Sequence, residues 1–296
     1  MVAQALGAFR QKSPHAQVRV LAPHEVEPEP DAVRGLFKPT ETLEASGRRV
    51  AEALERAVAL ALEGAVDAVV TGPVHKPALR AAGWTHPGQT EFLQDRTGAR
   101  HVGMLMAAEH TRLDAPLRVL LATTHLPLRA VADAVSEDLL VAQCTLLDAA
   151  LRTDWGIQHP SLALCALNPH ASDGGLFGEE EARVMEPAVA HLRDRGIRLE
   201  GPIPADTVFA RALAGDFHAV VAPYHDVGMA AFKTVAFGSG VNVTVGLPFV
   251  RTSPDHGTAF DRAGTGTADA ASTLEALRLA ESLARGRAAF HRGSGL

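Results

Sequence analysis

Cysteine is nearly absent. Cys144 and Cys165 are the only two in 296 residues, and they stand in no CxxC or metal-type spacing. Cys165 falls inside an apolar run and Cys144 on the apolar side of a helical pattern, where free thiols behave as small hydrophobes. That usage fits a reducing cytoplasm. Aromatic residues make up only 5%, too few for a base-stacking surface. There is no long basic run, and the net charge is −6, so a nucleic-acid partner is not expected. No apolar stretch approaches a membrane span, and the opening MVAQALGAFRQK has neither a long apolar core nor a cleavage pattern. A cytoplasmic protein with no membrane partner is expected. Two nucleotide signatures are also missing. No GxGxxG follows the first strand, and Thr71-Gly-Pro-Val-His-Lys76 does not satisfy GxxxxGK[ST].

What is present is a repeated placement of histidine. Three runs, Val119 to His125 (VLLATTH), Leu162 to His170 (LALCALNPH) and Ala219 to His225 (AVVAPYH), each end an apolar stretch on an imidazole. Such runs read as buried strands of a parallel sheet, and ligands of open α/β sheets bind at the strands' carboxyl ends. Three imidazoles meeting there suit a divalent first-row metal with positions left for substrate. The competing reading of each alone is a polar loop residue at a strand end.

The rest of the pattern alternates strand and helix. Strands are expected at Val18–Ala22, Val66–Thr71, Val102–Ala108, Leu117–Ala122, Ser161–Leu167, Ala219–Ala222 and Val241–Val245. Helices are expected at Thr42–Glu63, after a Ser136 N-cap, from Glu179-Glu-Glu181, and over Asp269–Arg285. This rhythm predicts an α/β fold with a mostly parallel sheet. No repeat, low-complexity tract or linker marks a boundary, so residues 1–296 read as one catalytic unit of two interwoven subdomains.

Asp255-His-Gly-Thr-Ala-Phe-Asp-Arg-Ala-Gly264 resembles the HG(T/S)AxxxAG loop with which isocitrate and isopropylmalate dehydrogenases bind the adenosine half of NAD(P). Its small residues let a flat adenine lie against the backbone; a surface loop before a helix is the alternative. The whole series TGPVHK, GQTEFL, ATTHLPL, LNPHASDGG, GPIPADT, YHDVGM, GVNVTVGLPFVRTS and DHGTAFDRAG is then similar, in order, to the 4-hydroxythreonine-4-phosphate dehydrogenase family.

The resemblance implies an isocitrate/isopropylmalate dehydrogenase-like fold, two α/β domains with a cleft between them. It also implies a homodimer with shared active sites, a phosphorylated small-molecule substrate, NAD or NADP, and a divalent metal (zinc, cobalt, magnesium or manganese). Carried over residue by residue, it places metal ligands at His125, His170 and His225. A histidine from the neighbouring chain typically completes each site. Substrate contacts fall on Gln89, Thr90, Lys233, Asn242 and Arg251, the cofactor loop on His256, Gly257, Thr258 and Ala259, and catalytic roles on Asp206 and Lys233. Asp206 reads equally as the N-cap of a helix starting at Thr207, and His75 and Lys76 as a solvated helix start. The implied reaction is oxidation of a secondary alcohol followed by loss of carbon dioxide, in pyridoxal phosphate synthesis.

Two departures stand out. The family's GHTEF reads Gly88-Gln-Thr-Glu-Phe92, so a neutral amide replaces an imidazole that could carry charge. The family's opening strand and GDPAGIGPE-like turn have no counterpart before Val18, as though the chain began in the following helix, Val2 to Phe9. These departures leave room for a relative acting on 4-phospho-D-threonate or 4-phospho-D-erythronate, and for a catalytically silent metal- and NAD-binding paralogue. A metallohydrolase using the same histidines would leave the HGTA loop without purpose.

Overall fold

The computed structural model describes residues 1–21, 42–262 and 265–294. Ala22 and His24, and Ala263 and Gly264 of the HGTA motif, lie outside the described residues. In chain order the first elements are α1 (Val2–Lys12), α2 (Leu43–Leu62), β1 (Ala68–Val70), α3 (Lys76–Ala81) and α4 (Gln89–Thr97). Next come β2 (Gly103–Ala108), β3 (Leu117–Leu121), α5 (Val131–Ala134), α6 (Glu137–Thr153) and β4 (Ser161–Cys165). Then follow α7 (Glu186–Asp194), β5 (Arg198–Ile203), α8 (Ala205–Leu213), β6 (Ala219–Ala222) and α9 (His225–Ala236). The last are β7 (Val241–Val245), β8 (Val250–Pro254) and α10 (Ala271–Ser294). Among the described residues, no helix is long and apolar enough to cross a membrane.

The chain forms two compact units, each built from two separated segments. One comprises Met1–Ala99 with Leu247–Ala284, the other Arg100–Gly246 with Arg285–Leu296. In the first, β1 and β8 run parallel with Val69 opposite Arg251. The loops leaving both strands therefore start at the same end. There the rings of His75 and Phe260 meet edge-on, 5.0 Å between centroids. α2 begins where Thr42 Oγ1 accepts from the Ala45 amide at 3.2 Å, an N-cap that fixes the boundary.

In the second unit the strand order is β7-β2-β3-β6-β4-β5. β3, β6, β4 and β5 are parallel, whereas β2 runs antiparallel to both β3 and β7. One face of this sheet packs Met106, Val119, Leu121, Cys165 and Val220 against Phe209 of α8 and Phe232 of α9. Cys144 lies buried on α6, whose N-cap Ser136 accepts from Leu139 N at 3.2 Å. Burial pushes both thiols up to about 12, so they are unreactive packing groups at neutral pH.

Three expected elements differ. Val18–Leu21 forms no strand; its Val18 and Val20 instead pack on Ala5, Leu6 and Phe9 of α1 and on Leu277. The helix expected from Glu179 starts with a widened turn over Glu181–Met185, before α7 proper at Glu186. α8 is capped by Pro204, so Asp206 is its second residue and not an N-cap.

Gly228 sets how closely α9 approaches the sheet. A Cβ there would stand 2.6 Å from Leu121 Cδ2 and 3.0 Å from Ala222 Cβ. We expect Gly228→Ala to lower the thermal unfolding midpoint by roughly 3–6 °C, because an overpacked methyl must displace the helix that begins at His225. An unchanged midpoint in a calorimetric scan would show that the contact is slack.

Candidate functional site

The parallel order β3-β6-β4 sets the exits toward His125, His225 and His170 side by side. Leu121 of β3 is opposite Ala222 of β6. Beyond that register the two exits stay joined. Ala122 N donates to Ala222 O at 2.9 Å, and Thr123 donates to Pro223 O from both its amide (3.2 Å) and its hydroxyl (2.8 Å). This pairing sets the His125 and His225 rings 5.7 Å apart, centroid to centroid, at an interplanar angle of 40°. Two imidazoles on one cation hold it about 2 Å from each nitrogen, so their centroids fall roughly 5–6 Å apart. The pair fits that chemistry. His225 Nδ1 lies 2.7 Å from Asp226 Oδ1. A carboxylate can only accept, so Nδ1 is the donor, and in the neutral ring Nε2 is then the nitrogen that can bind a metal.

His170 is placed differently. It sits in a short helical turn, Pro169–Asp173, with its ring 6.4 Å from that of Phe177. Four successive non-glycine residues there have left-handed backbones: His170 (φ 53°), Ala171 (φ 53°), Ser172 (φ 68°) and Asp173 (φ 45°). Among the described residues, no group of three or more His, Cys, Asp or Glu side chains within one chain is disposed to hold a metal. Convergence within a single chain thus extends to two of the three histidines.

One residue the sequence reading missed sits beneath this loop. Glu181 is 1% exposed. Its Oε1 accepts from Leu167 N (2.9 Å) and Asn168 N (2.7 Å), and its Oε2 from Asn168 Nδ2 (2.9 Å) and Ser172 Oγ. Burial disfavours its charge, but the hydrogen bonds from Ser172 and Asn168 outweigh that and hold its carboxyl below the usual range. In sequence it is the third of three glutamates and reads as a solvated helix start. Nothing in the local spacing marks it as the one that turns inward.

The first unit holds a buried guanidinium beside a helix N-terminus, an arrangement suited to an anion. Arg251, 3% exposed on β8, donates through one terminal nitrogen to Thr71 Oγ1 (2.7 Å) and Gln89 Oε1 (2.5 Å). Gln89 Nε2 in turn donates to Gly72 O at 3.1 Å. Burial pushes the guanidinium down to about 10, which leaves it cationic at neutral pH. Gln89 and Thr90 are the first two residues of α4, so their amides point out of a helix N-terminus, a favourable place for a phosphate or carboxylate. Thr71 and Gly72, absent from the sequence-based substrate set, complete this cluster.

The remaining candidates are distributed over both units. His256 Nδ1 donates to Gly257 O (2.8 Å), and its Nε2 is buried without a hydrogen-bond partner among the described residues. Farther along the same loop, a cavity of about 280 Å³ is lined by Thr258, Ala259, Arg262, Gly266 and Ala268, with Met1 and Gln4 from the start of the chain. On β7, Asn242 Oδ1 is likewise buried without a partner among the described residues. Lys233 lies two turns along α9 from His225, its ammonium 5.9 Å from the Phe237 ring. Asp206 is exposed in the first turn of α8. His75 is the N-cap position of α3 and meets Phe260 edge-on, so it is less solvated than its motif suggested.

Comparison with known proteins adds independent information. Residues 3–280 match the family model described as pyridoxal phosphate biosynthetic protein PdxA. A 4-hydroxythreonine-4-phosphate dehydrogenase of Chromobacterium violaceum is 49% identical over 240 residues, 81% of this chain and 71% of its own length. The crystal structure of a protein of the same name from Klebsiella pneumoniae aligns with a TM-score of 0.76 at 37% identity, covering 95% of this chain and 88% of that one. A terephthalate 1,2-cis-dihydrodiol dehydrogenase from Burkholderia xenovorans aligns with a TM-score of 0.65 at 28% identity, covering 94% and 92%.

Proposed function

Because the chain belongs to the PdxA family of pyridoxal phosphate biosynthetic proteins, we propose that it oxidises 4-phosphohydroxy-L-threonine, with decarboxylation to 3-amino-2-oxopropyl phosphate. The fold is the α/β type of isocitrate and isopropylmalate dehydrogenases, and the chain is a dehydrogenase for which a nicotinamide cofactor is implied. The observation that carries the metal-assisted form of this reading is the His125–His225 pair at the ends of adjacent strands.

We assign His125 and His225 of one chain, with His170 of a second copy, to a divalent cation. Two features support a partner-completed site. His170 stands outside the pair, and exposed apolar side chains flank both loops: Leu126 and Leu128 beside His125, Leu176 and Phe177 beyond His170. When bound, the cation supplies Lewis acidity to a substrate hydroxyl and NAD or NADP supplies the hydride acceptor.

The chain's own groups do the rest. Arg251 and the α4 N-terminus at Gln89 and Thr90 hold the substrate's anionic group, the guanidinium contributing fixed charge that burial keeps from solvent screening. The buried Asn242 carbonyl offers an acceptor to a substrate N–H or O–H. Lys233 supplies a cation for the carboxylate or a proton for the carbon that loses it, and Asp206 is the candidate to exchange the hydroxyl proton. We assign the loop His256, Gly257, Thr258 and Ala259 to adenosine, because its Thr258 and Ala259 line a cavity and its His256 leaves a buried Nε2 to be bonded.

Gln89 favours a second reading, a relative that oxidises 4-phospho-D-threonate or 4-phospho-D-erythronate. Its amide is engaged by Arg251 and Gly72 and carries no charge. Following reduction of NAD with each substrate and added divalent metal distinguishes the two. Turnover of 4-phosphohydroxy-L-threonine at least tenfold above the hydroxy acids is expected; activity confined to the hydroxy acids would transfer the assignment to the second reading.

A further inference from the structure

We infer that Glu181 is a positioning residue whose buried carboxylate holds the His170 loop in its metal-binding shape, an inference that rests on reading His170 as a ligand. The loop's own backbone bonds are few: Ala171 N donates to Asn168 O at 3.2 Å, and Gly175 N and Phe177 N to Ser172 O at 3.0 and 3.2 Å. Its backbone is left-handed at four consecutive non-glycine residues, His170 to Asp173, a conformation each L residue disfavours and which persists only where the surroundings over-determine it. Beyond those backbone bonds, what ties the loop down is one side chain. The four donors on Glu181 bracket the histidine: Leu167 N and both Asn168 nitrogens precede it, and Ser172 Oγ follows it. Both ends of the turn are thus pinned to a single carboxylate while the His170 side chain itself remains exposed.

The surrounding backbone is shaped to bring that carboxylate in. Glu186 N–H reaches back five residues to Glu181 O, a widened turn of a kind often found beside functional sites. Gly178, at φ 136°, leaves the space that Asn168 fills, since a Cβ there would lie 2.7 Å from Asn168 Nδ2. Glu180 Oε2 accepts from the same Asn168 nitrogen at 2.7 Å. A carboxylate is the group this cluster requires. It accepts at both oxygens, whereas an amide would aim an N–H at donors on one side. Hydrogen-bonded groups behind a metal-binding imidazole typically change metal affinity 10–100-fold when removed.

The test uses the full-length protein stripped of metal and titrated with Co²⁺, read by its visible ligand-field absorption. NAD binding by calorimetry and far-UV circular dichroism serve as parallel readouts. Glu181→Gln is expected to weaken Co²⁺ binding roughly 10–100-fold. NAD affinity and secondary structure should stay as in the parent, and saturating Co²⁺ should restore most of kcat. Ser172→Ala, which removes one donor and leaves the acid in place, should shift affinity in the same direction by a smaller factor. It also serves as the test if Glu181→Gln does not fold. Co²⁺ affinity within twofold of the parent in the folded variants would overturn the inference. His170→Ala separates the two levels. If it weakens Co²⁺ binding while the Glu181 and Ser172 variants do not, only the positioning role fails. If His170→Ala leaves Co²⁺ binding intact, the ligand assignment fails and takes the positioning role with it.

Discussion

Arg251→Lys should lower kcat/KM by roughly 100-fold or more, about 3 kcal/mol of binding to the reacting state. The guanidinium is almost fully buried on β8 and is fixed by Thr71 and Gln89. An ammonium is a point donor on a flexible stem and cannot bond Thr71 and Gln89 while presenting a second edge to a phosphate or carboxylate. Its desolvation is also more costly, so part of the loss comes from a shift toward the neutral amine. Steady-state kinetics at neutral pH, with circular dichroism to confirm folding, is the check. A change smaller than threefold would remove Arg251 from the substrate site. The effect should fall mainly on KM if the arginine only anchors the phosphate, and on kcat as well if it orients the reacting carbon.

The second large effect concerns the imidazoles. His125→Ala and His225→Ala should each reduce kcat by roughly 1,000-fold, on the order of 4 kcal/mol, and chelation of the parent should match that loss reversibly. NAD binding should survive in all three cases, because the HGTA loop belongs to the other compact unit. The shared-site arrangement gives a sharper expectation. Mixing inactive His170→Ala and His225→Ala chains under exchange conditions creates hybrids with one intact site. Random pairing should recover about a quarter of parental activity. No recovery, with subunit exchange verified by mass spectrometry, would mean that each chain builds its metal centre alone.

Much of this was legible in the residue order, for identifiable reasons. β6 and β7 fall where their apolar runs predicted, because both are buried on two faces and bounded by turn residues. α6 begins where Ser136 predicted, because a side-chain cap is a local event. Elements governed by tertiary pairing were harder to read. β8, Val250–Pro254, is buried throughout yet carries Arg251, Thr252 and Ser253, so no apolar periodicity announces it. β5 is an edge strand containing Gly201-Pro202 and pairs only with β4 in the second unit's sheet. Val18–Leu21 has strand-like composition but serves as packing for α1.

The site shows the same division. As candidates, the histidines stand out in the sequence because they stop apolar runs, and Arg251, Asn242 and the HGTA loop because their motifs are long. That His170 would stand apart from the other two was not visible, since ring placement depends on a left-handed loop that no single residue type encodes. Glu181 was invisible for a related reason. Its acceptors find their donors 9 to 14 positions earlier in the chain, and only folding tells it apart from Glu179 and Glu180.

The order β3-β6-β4 also constrains how the molecule can be made. β6 is the central member of that trio but the last of the three to be synthesised, and Thr123 waits for Pro223 across 100 positions. A nascent chain therefore cannot zip this region from one side; β3 and β4 must be held apart, or be prised open, to admit the late strand. Contacts of such long range are slow to form and leave strand edges bare in the meantime. His125 and His225 become neighbours only once that strand is inserted.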